Sequence, residues 1–257
     1  MCNEIQKAGL WQRIAAGILD MILLAILATG FGAALSMALK YDQALDQSDA
    51  IRAQYIQQFD LPETVTQQML DEMTPEEYDD YVAKVEAAND AIAQDAEAIR
   101  VFNLSLNLSL IIAGGSIFLA MMLLQFAVPL LFGNGQTVGK KIFSLCLVRT
   151  DGVEINTLQL FTRVVLGKYA VGVMIPVYAA IMIYLNVPKL LLLVLAAGLL
   201  IAQIISFLFT RNHSLLHDKM AGTVVVDYGS QRIFKSTEDL IEYQKKLAAE
   251  RAARQQY

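Results

Sequence analysis

Four long runs of apolar residues divide this chain: 14–39, 104–132, 164–185 and 190–209. About 20 apolar residues in a helix span a hydrocarbon core of roughly 30 Å, so each run predicts a transmembrane helix. The first run is longer than the hydrophobic region of a cleavable signal peptide and contains an aspartate, so we expect a permanent helix there.

The segment between the first two runs, residues 40–100, is polar but has helical signals. Thr74, Pro75 and Glu77 match an N-cap, a first-turn proline and a capping-box glutamate. Apolar residues seven apart follow, at positions 78, 85, 92 and 99, and a weaker seam precedes a break at 60–62. The pattern predicts an acidic helical hairpin whose second arm leads into the second membrane helix.

The loop between the second and third runs has β-like stretches at 142–149 and 153–155, separated by Thr150, Asp151 and Gly152. An Asp-Gly turn between two such stretches predicts a small β-hairpin at the membrane surface. Either Asn156 or Thr157 is a suitable N-cap for the helix that follows.

The predicted fold is therefore an all-α membrane protein with four transmembrane helices, an outer acidic hairpin and a small cytoplasmic β-hairpin between helices 2 and 3. We expect a tight outer turn at 186–188, and a helix capped at 236–239 within the tail. The predicted segments are 1–39 with helix 1, 40–102 with the hairpin, 103–132 as helix 2, 133–162 as the loop, 163–209 with helices 3 and 4, and 210–257 as the basic tail.

Composition and charge agree with this plan and orient it. The chain is 56% hydrophobic and 18% charged, with a mean hydropathy of +0.45 and a net charge of −5. Residues 40–100 hold four basic and fifteen acidic residues, so the remainder is net basic. Because cytoplasmic flanks carry excess Lys and Arg, we expect both termini and the 133–162 loop inside a bacterial plasma membrane.

Charged residues within or beside the membrane helices are the candidate site, because charge is costly there unless it is paired. Arg13 and Asp20 are seven residues apart, nearly two helical turns, and so project from one face. We expect Asp20 to pair with Arg163 or Lys168, and Arg13 with Asp218. The predicted network is Arg13, Asp20, Arg163, Lys168, His217 and Asp218.

Other classes of site have weak support. The loop motif of Thr137, Gly139, Lys140, Lys141, Asp151 and Gly152 superficially suggests a phosphate loop, but its spacing differs from a Walker motif. Cys2 and Cys146 are far apart, and His213 and His217 alone are too few ligands for zinc. We expect no metal, no cofactor, no nucleic-acid binding and no enzyme activity.

Several motifs, in order, resemble the RDD family of bacterial and archaeal membrane proteins. They are Leu10–Asp20, Thr137–Lys141 with Asp151-Gly152, Arg163, and Leu216–Asp218 with Ala221–Val225. The family is named for an arginine and two aspartates, which fall on Arg13, Asp20 and Asp218. The resemblance covers about 8–39 and 103–228; the long outer segment is a departure from many members. It implies an integral membrane domain for which cation/proton exchange, or association with larger membrane assemblies, has been proposed.

Two functions stay open. In the first, the chain is a scaffold or accessory subunit whose buried charges lock the helices together, within a homo-oligomer or a larger complex. In the second, it is a small cation/proton exchanger with Asp20 as the ion-binding carboxylate and His217 and Asp218 moving protons. The lipid bilayer is the expected partner in both. The outer hairpin is either a solvated cap, a docking surface or a funnel for cations.

Overall fold

The computed structural model describes residues 8–184, 190–209 and 214–255. The predicted turn at 186–188, together with Cys2 and His213, lies outside these residues. In chain order the helices are α1 (Leu10–Ala38), α2 (Tyr41–Gln58), α3 (Gln67–Glu72), α4 (Pro75–Gln94), α5 (Ala96–Phe132), α6 (Val138–Ile142), α7 (157–184), α8 (Leu190–Phe209), α9 (Leu216–Met220) and α10 (Thr237–Gln255). Two strands, β1 (Leu145–Arg149) and β2 (Thr223–Asp227), form one sheet.

Three stretches of helix are long and apolar enough to cross a membrane: Leu10–Ala38, Ala96–Phe132 and Thr157–Ala179. Large apolar side chains such as Ile22 and Ile26 are exposed along them, which suits a lipid environment. Three predicted spans thus coincide with helices of sufficient length. The fourth falls on α8, where the apolar stretch Leu193–Phe209 is shorter, so four spans stay a prediction.

Contacts divide the chain into two units, and the acidic segment belongs to the unit 29–116. As expected, Thr74 begins α4: its hydroxyl accepts from the Glu77 N–H at 3.3 Å, and Glu77 accepts from the Thr74 N–H at 2.9 Å. The hydroxyl of Tyr55 in α2 donates to Asp95 at 2.8 Å. Asp95 is non-helical and accepts from the Glu97 N–H, so α4 and α5 are separate helices.

The second unit comprises 1–28 and 117–257 and contains the sheet. β1 and β2 are antiparallel, with Leu147 opposite Val225. Leu145 and Leu147 pack with Ala16, Val164 and other residues of the helices, whereas Cys146 and Val148 pack with Val224 and Val226 on the other face. This alternation is the period of two of a β-strand.

The predicted β-hairpin over 142–155 is wrong in its pairing. The turn exists, since the Gly152 N–H donates to the Arg149 carbonyl at 2.9 Å, but only a single bridge joins Val148 to Glu154. Val153 bridges to Phe234 instead. The valines of β2 offer β1 a longer apolar partner than the three residues 153–155 do, and burial of both faces favours that pairing.

Helix caps near the sheet agree with the sequence. Asn156, one of the two candidates, caps α7 by accepting from the Gln159 N–H at 2.7 Å. Ser236 and Asp239 cap each other at the start of α10, with distances of 3.1 and 3.2 Å. These local signals place the ends of the helices that flank the candidate site.

Candidate functional site

Among the described residues outside 40–100, Asp218 is the most buried charged group. Only 1% of its side chain is exposed. It lies on α9, and its Oδ2 accepts from the Leu215 N–H at 3.1 Å. Oδ1 accepts from Nε of Arg163 at 2.8 Å and also from Nη2 of the same guanidinium. Charge-assisted bonds of this kind are among the strongest in proteins, so Asp218 fastens α9 to α7.

Arg13 brings α1 to the same carboxylate, since its Nη2 lies 3.9 Å from Oδ2 of Asp218. This ion pair is the one that the sequence predicted. Burial alone would raise the pKa of Asp218, but the charge and hydrogen bonds of Arg163 outweigh burial and hold that pKa well below its usual range. Asp218 is therefore ionised and joins three helices.

His217 lies beside this pair, with Nε2 at 3.6 Å from Oδ1 of Asp218 and 3.5 Å from the Arg163 guanidinium. Burial and then the charge of Arg163 lower the pKa of His217 well below its usual value. The imidazole is therefore neutral near pH 7. His217 also packs closely against α7, because a Cβ on Gly167 would lie 2.5 Å from the Cβ of His217.

Asp20 has different partners from those predicted. Among the described residues no cation lies within ion-pair distance of it, so pairing with Arg163 or Lys168 is wrong. Oδ2 accepts from the Thr137 hydroxyl at 2.5 Å, and Oδ1 accepts from the Gly139 N–H at 2.8 Å. The carboxylate thus holds the short helix α6 against α1.

Gly139 makes that close approach possible. A Cβ at this position would collide with the backbone carbonyl of Ala16 and lie 2.9 Å from Oδ1 of Asp20. Thr137 also begins α6, since its hydroxyl accepts from the Lys140 N–H at 3.4 Å. Asp20 on α1 therefore contacts the first part of the loop motif, where it accepts from the Thr137 hydroxyl and the Gly139 N–H.

Lys168 contacts a residue that sequence reasoning missed. Its ammonium donates to the side-chain oxygen of Gln125 at 2.6 Å, which joins α7 to α5. Both residues lie in π-helical segments, Met122–Ala127 and Thr162–Met174. Such segments are frequent at functional sites. The sequence does contain a signal for this contact, because Gln125 is a polar residue inside the apolar run 104–132.

Lys140 is enclosed as well, with 7% of its surface exposed. Its ammonium donates to the Thr137 hydroxyl at 3.3 Å. Burial, and then the charge of Arg163, lower the pKa of Lys140 to about 8. The neighbouring Lys141 is exposed and lies 3.8 Å above the ring of Phe132, so the two lysines of the motif differ in environment.

The charged groups line a cavity of about 230 Å³ within this unit. Asp151 and Gly152 lie elsewhere, in the turn after β1, where Asp151 pairs with Arg149 at 2.7 Å. The loop motif is thus split between two places. The charged lining consists of Arg13, Asp20, Lys140, Arg163, Lys168 and Asp218, with His217 beside them.

Comparison with known proteins gives one finding. The model of the RDD family, a family of membrane proteins, matches residues 7–222, a range that includes Arg13, Asp20 and Asp218. No match was found among curated proteins or among solved structures. The match confirms the resemblance that the motifs indicated.

Proposed function

Because this chain belongs to the RDD family of membrane proteins, we propose that it is a scaffold or accessory subunit of a membrane assembly rather than a carrier of cations. Its apolar helices make it a multi-pass membrane protein. In this proposal the charged cluster holds the ends of the helices and the 133–156 loop in one fixed arrangement.

The observation that carries the proposal is that both carboxylates of the cluster serve as joints. Asp218 connects α9 to α7 and α1, and Asp20 connects α1 to α6. A carboxylate that exchanges cations must release its ligands in each cycle, whereas Asp20 accepts from a capping hydroxyl and a backbone amide. Four cationic side chains around the same cavity would also repel a metal cation.

One observation favours the second candidate, cation/proton exchange: Asp20 lines the cavity, so an ion entering it would meet that carboxylate. The lowered pKa of His217 argues against a proton shuttle there near pH 7. We therefore rank exchange second.

The charge distribution supports an orientation for the scaffold. The 133–162 loop has three Lys/Arg against two Asp/Glu, and residues 210–257 have eight against six, whereas residues 40–100 have four against fifteen. We therefore propose that both termini and the charged cluster are cytoplasmic. Residues 40–100 would then face outward as a surface for an extracytoplasmic partner.

Ion flux and native mass together test the proposal. Purified protein in proteoliposomes with an imposed pH gradient is expected to move Na⁺, K⁺ and Li⁺ no faster than empty liposomes do. Mild extraction from source membranes should release the chain in a complex much larger than its 28.4 kDa. Crosslinking before extraction should retain the same complex.

Asp20→Asn and Asp151→Asn are the matched variants for both assays, since both carboxylates accept from a backbone N–H but only Asp20 lines the cavity. Flux in wild type and in Asp151→Asn that vanishes in a folded Asp20→Asn protein would establish exchange. A chain that leaves the membrane as a monomer without flux would contradict both candidates.

A further inference from the structure

The cavity beside Asp20 and Asp218 contains more positive than negative charge. Its lining has four cationic side chains, Arg13, Lys140, Arg163 and Lys168, against two carboxylates. His217 does not alter the balance near pH 7, because burial keeps it neutral. Counted as formal charges, two positive charges are left over in this cavity.

We propose that this cavity binds a phosphate group of an anionic ligand, with the ammonium groups of Lys140 and Lys168 as its ligands. The proposal goes beyond a scaffold role and does not depend on it. The phosphate belongs either to the headgroup of an anionic lipid or to a soluble phosphate compound, and both present the same chemistry.

The two lysines are the cations that the protein itself leaves unneutralised. Within the described residues, neither ammonium has a carboxylate within 4 Å, whereas Arg163 and Arg13 share Asp218. Lys140 donates to Thr137 and Lys168 donates to Gln125, both neutral acceptors. An ammonium carries three N–H donors, so each lysine has further donors for an oxyanion.

Burial makes that arrangement costly without a counter-ion. A buried charge that loses its partner is strongly destabilising, and an anion between the lysines would supply the missing one. The pKa of Lys140, lowered to about 8 mainly by burial, reflects this cost. Lysine is a common ligand of phosphate groups, acting as a point charge.

The size and position of the cavity suit a lipid headgroup. Its volume of about 230 Å³ greatly exceeds the roughly 10–15 Å³ that one water requires. Its lining includes apolar Phe207 and Met21, and Met21 is 68% exposed on the membrane helix α1. The cavity therefore reaches the lipid-facing surface, and basic pockets between membrane helices bind anionic headgroups.

Binding measurements on the full chain test the proposal. The probes are inorganic phosphate, added to protein in neutral detergent, and phosphatidylglycerol, added to phosphatidylcholine nanodiscs that hold the protein. The readouts are calorimetry for phosphate, and native mass spectrometry for lipid retained by the protein. We expect Lys140→Gln and Lys168→Gln each to weaken binding about tenfold or more, the size of one lost hydrogen bond to a charged group.

Lys141→Gln is the matched control, because it removes an adjacent but exposed lysine. It should leave binding unchanged within about twofold, since exposed charges contribute little. Circular dichroism and gel filtration establish that each variant is folded, and the Lys140 variant suffices should the Lys168 variant not fold.

The outcomes separate the two sources of phosphate. Retained phosphatidylglycerol that phosphate displaces weakly identifies a lipid site, and phosphate binding without lipid retention identifies a soluble ligand. Binding to wild type should also weaken as pH rises above about 8, when Lys140 loses its proton. Absence of binding of both probes to wild type, or an equal loss in all three lysine variants, would overturn the proposal.

Discussion

Asp218→Asn is the substitution for which the structure makes the sharpest stability prediction. Asparagine keeps the size of the side chain and an acceptor for the Leu215 N–H, but it removes the charge that faces Arg163 and Arg13. At 3.9 Å, the Arg13 pair alone has an attraction of about 4 kcal/mol at an effective dielectric constant near 20. Desolvation offsets part of that attraction, but removing one partner of a buried pair generally costs about 3–5 kcal/mol.

We therefore expect Asp218→Asn to lower the free energy of unfolding by about 3–5 kcal/mol. Asp151→Asn is the control, since Asp151 also accepts from a backbone N–H and pairs with an arginine, but both side chains are 35% exposed. A pair that accessible contributes about 0.2–1 kcal/mol. The two variants differ mainly in burial.

Cys146 provides the assay. It is fully buried on β1, where it packs with Val224 and Val226, and burial raises its pKa to about 12, so its thiol is unreactive until the sheet opens. In a Cys2→Ser background, labelling of Cys146 along a denaturant titration in micelles reports unfolding. A loss for Asp218→Asn no larger than that for Asp151→Asn would refute the assignment of Asp218 as the joint between α1, α7 and α9.

Three further predictions concern Thr137, Gly139 and Lys140 at the start of α6. Gly139→Ala should lower stability by about 1–3 kcal/mol in the same assay, because the new methyl collides with α1, while Gly198→Ala, which has open space, should not. Thr137→Val should cost about 1–3 kcal/mol, since it removes the donor to Asp20, whereas Thr137→Ser should retain most stability. The pKa of Lys140 is lower in the folded than in the unfolded protein, so wild type binds fewer protons when folded and should gain roughly 3 kcal/mol between pH 8 and 10.5. That gain should vanish in Lys140→Gln; its persistence there would assign it to another group.

The parts of the fold that depend on nearby residues could be predicted from the sequence. Apolar runs of about 20 residues predicted the three long membrane helices, and the caps at Thr74, Asn156 and Ser236 follow from residues three positions apart. The sheet could not be predicted in the same way, because β2 lies more than seventy residues after β1 and competes with the nearer stretch 153–155.

The site was predictable in its charges but not in its contacts. Arg13 and Asp218 pair as expected, since buried opposite charges are stabilised by each other. The partners of Asp20, by contrast, are a hydroxyl and a backbone amide, which have no charge pattern that a sequence displays. Lys140 was recognised only as part of a loop motif, because its burial depends on α6 packing against α1.

We propose that Asp20 is a joint between α1 and α6 rather than a site for a moving cation. A double-mutant cycle with Asp20→Ala, Thr137→Val and the double variant, followed by labelling of Cys146, tests it most directly. We predict a coupling energy of about 1–3 kcal/mol, because the two side chains share one partly buried hydrogen bond. Additive effects, within about 0.5 kcal/mol, would contradict the claim.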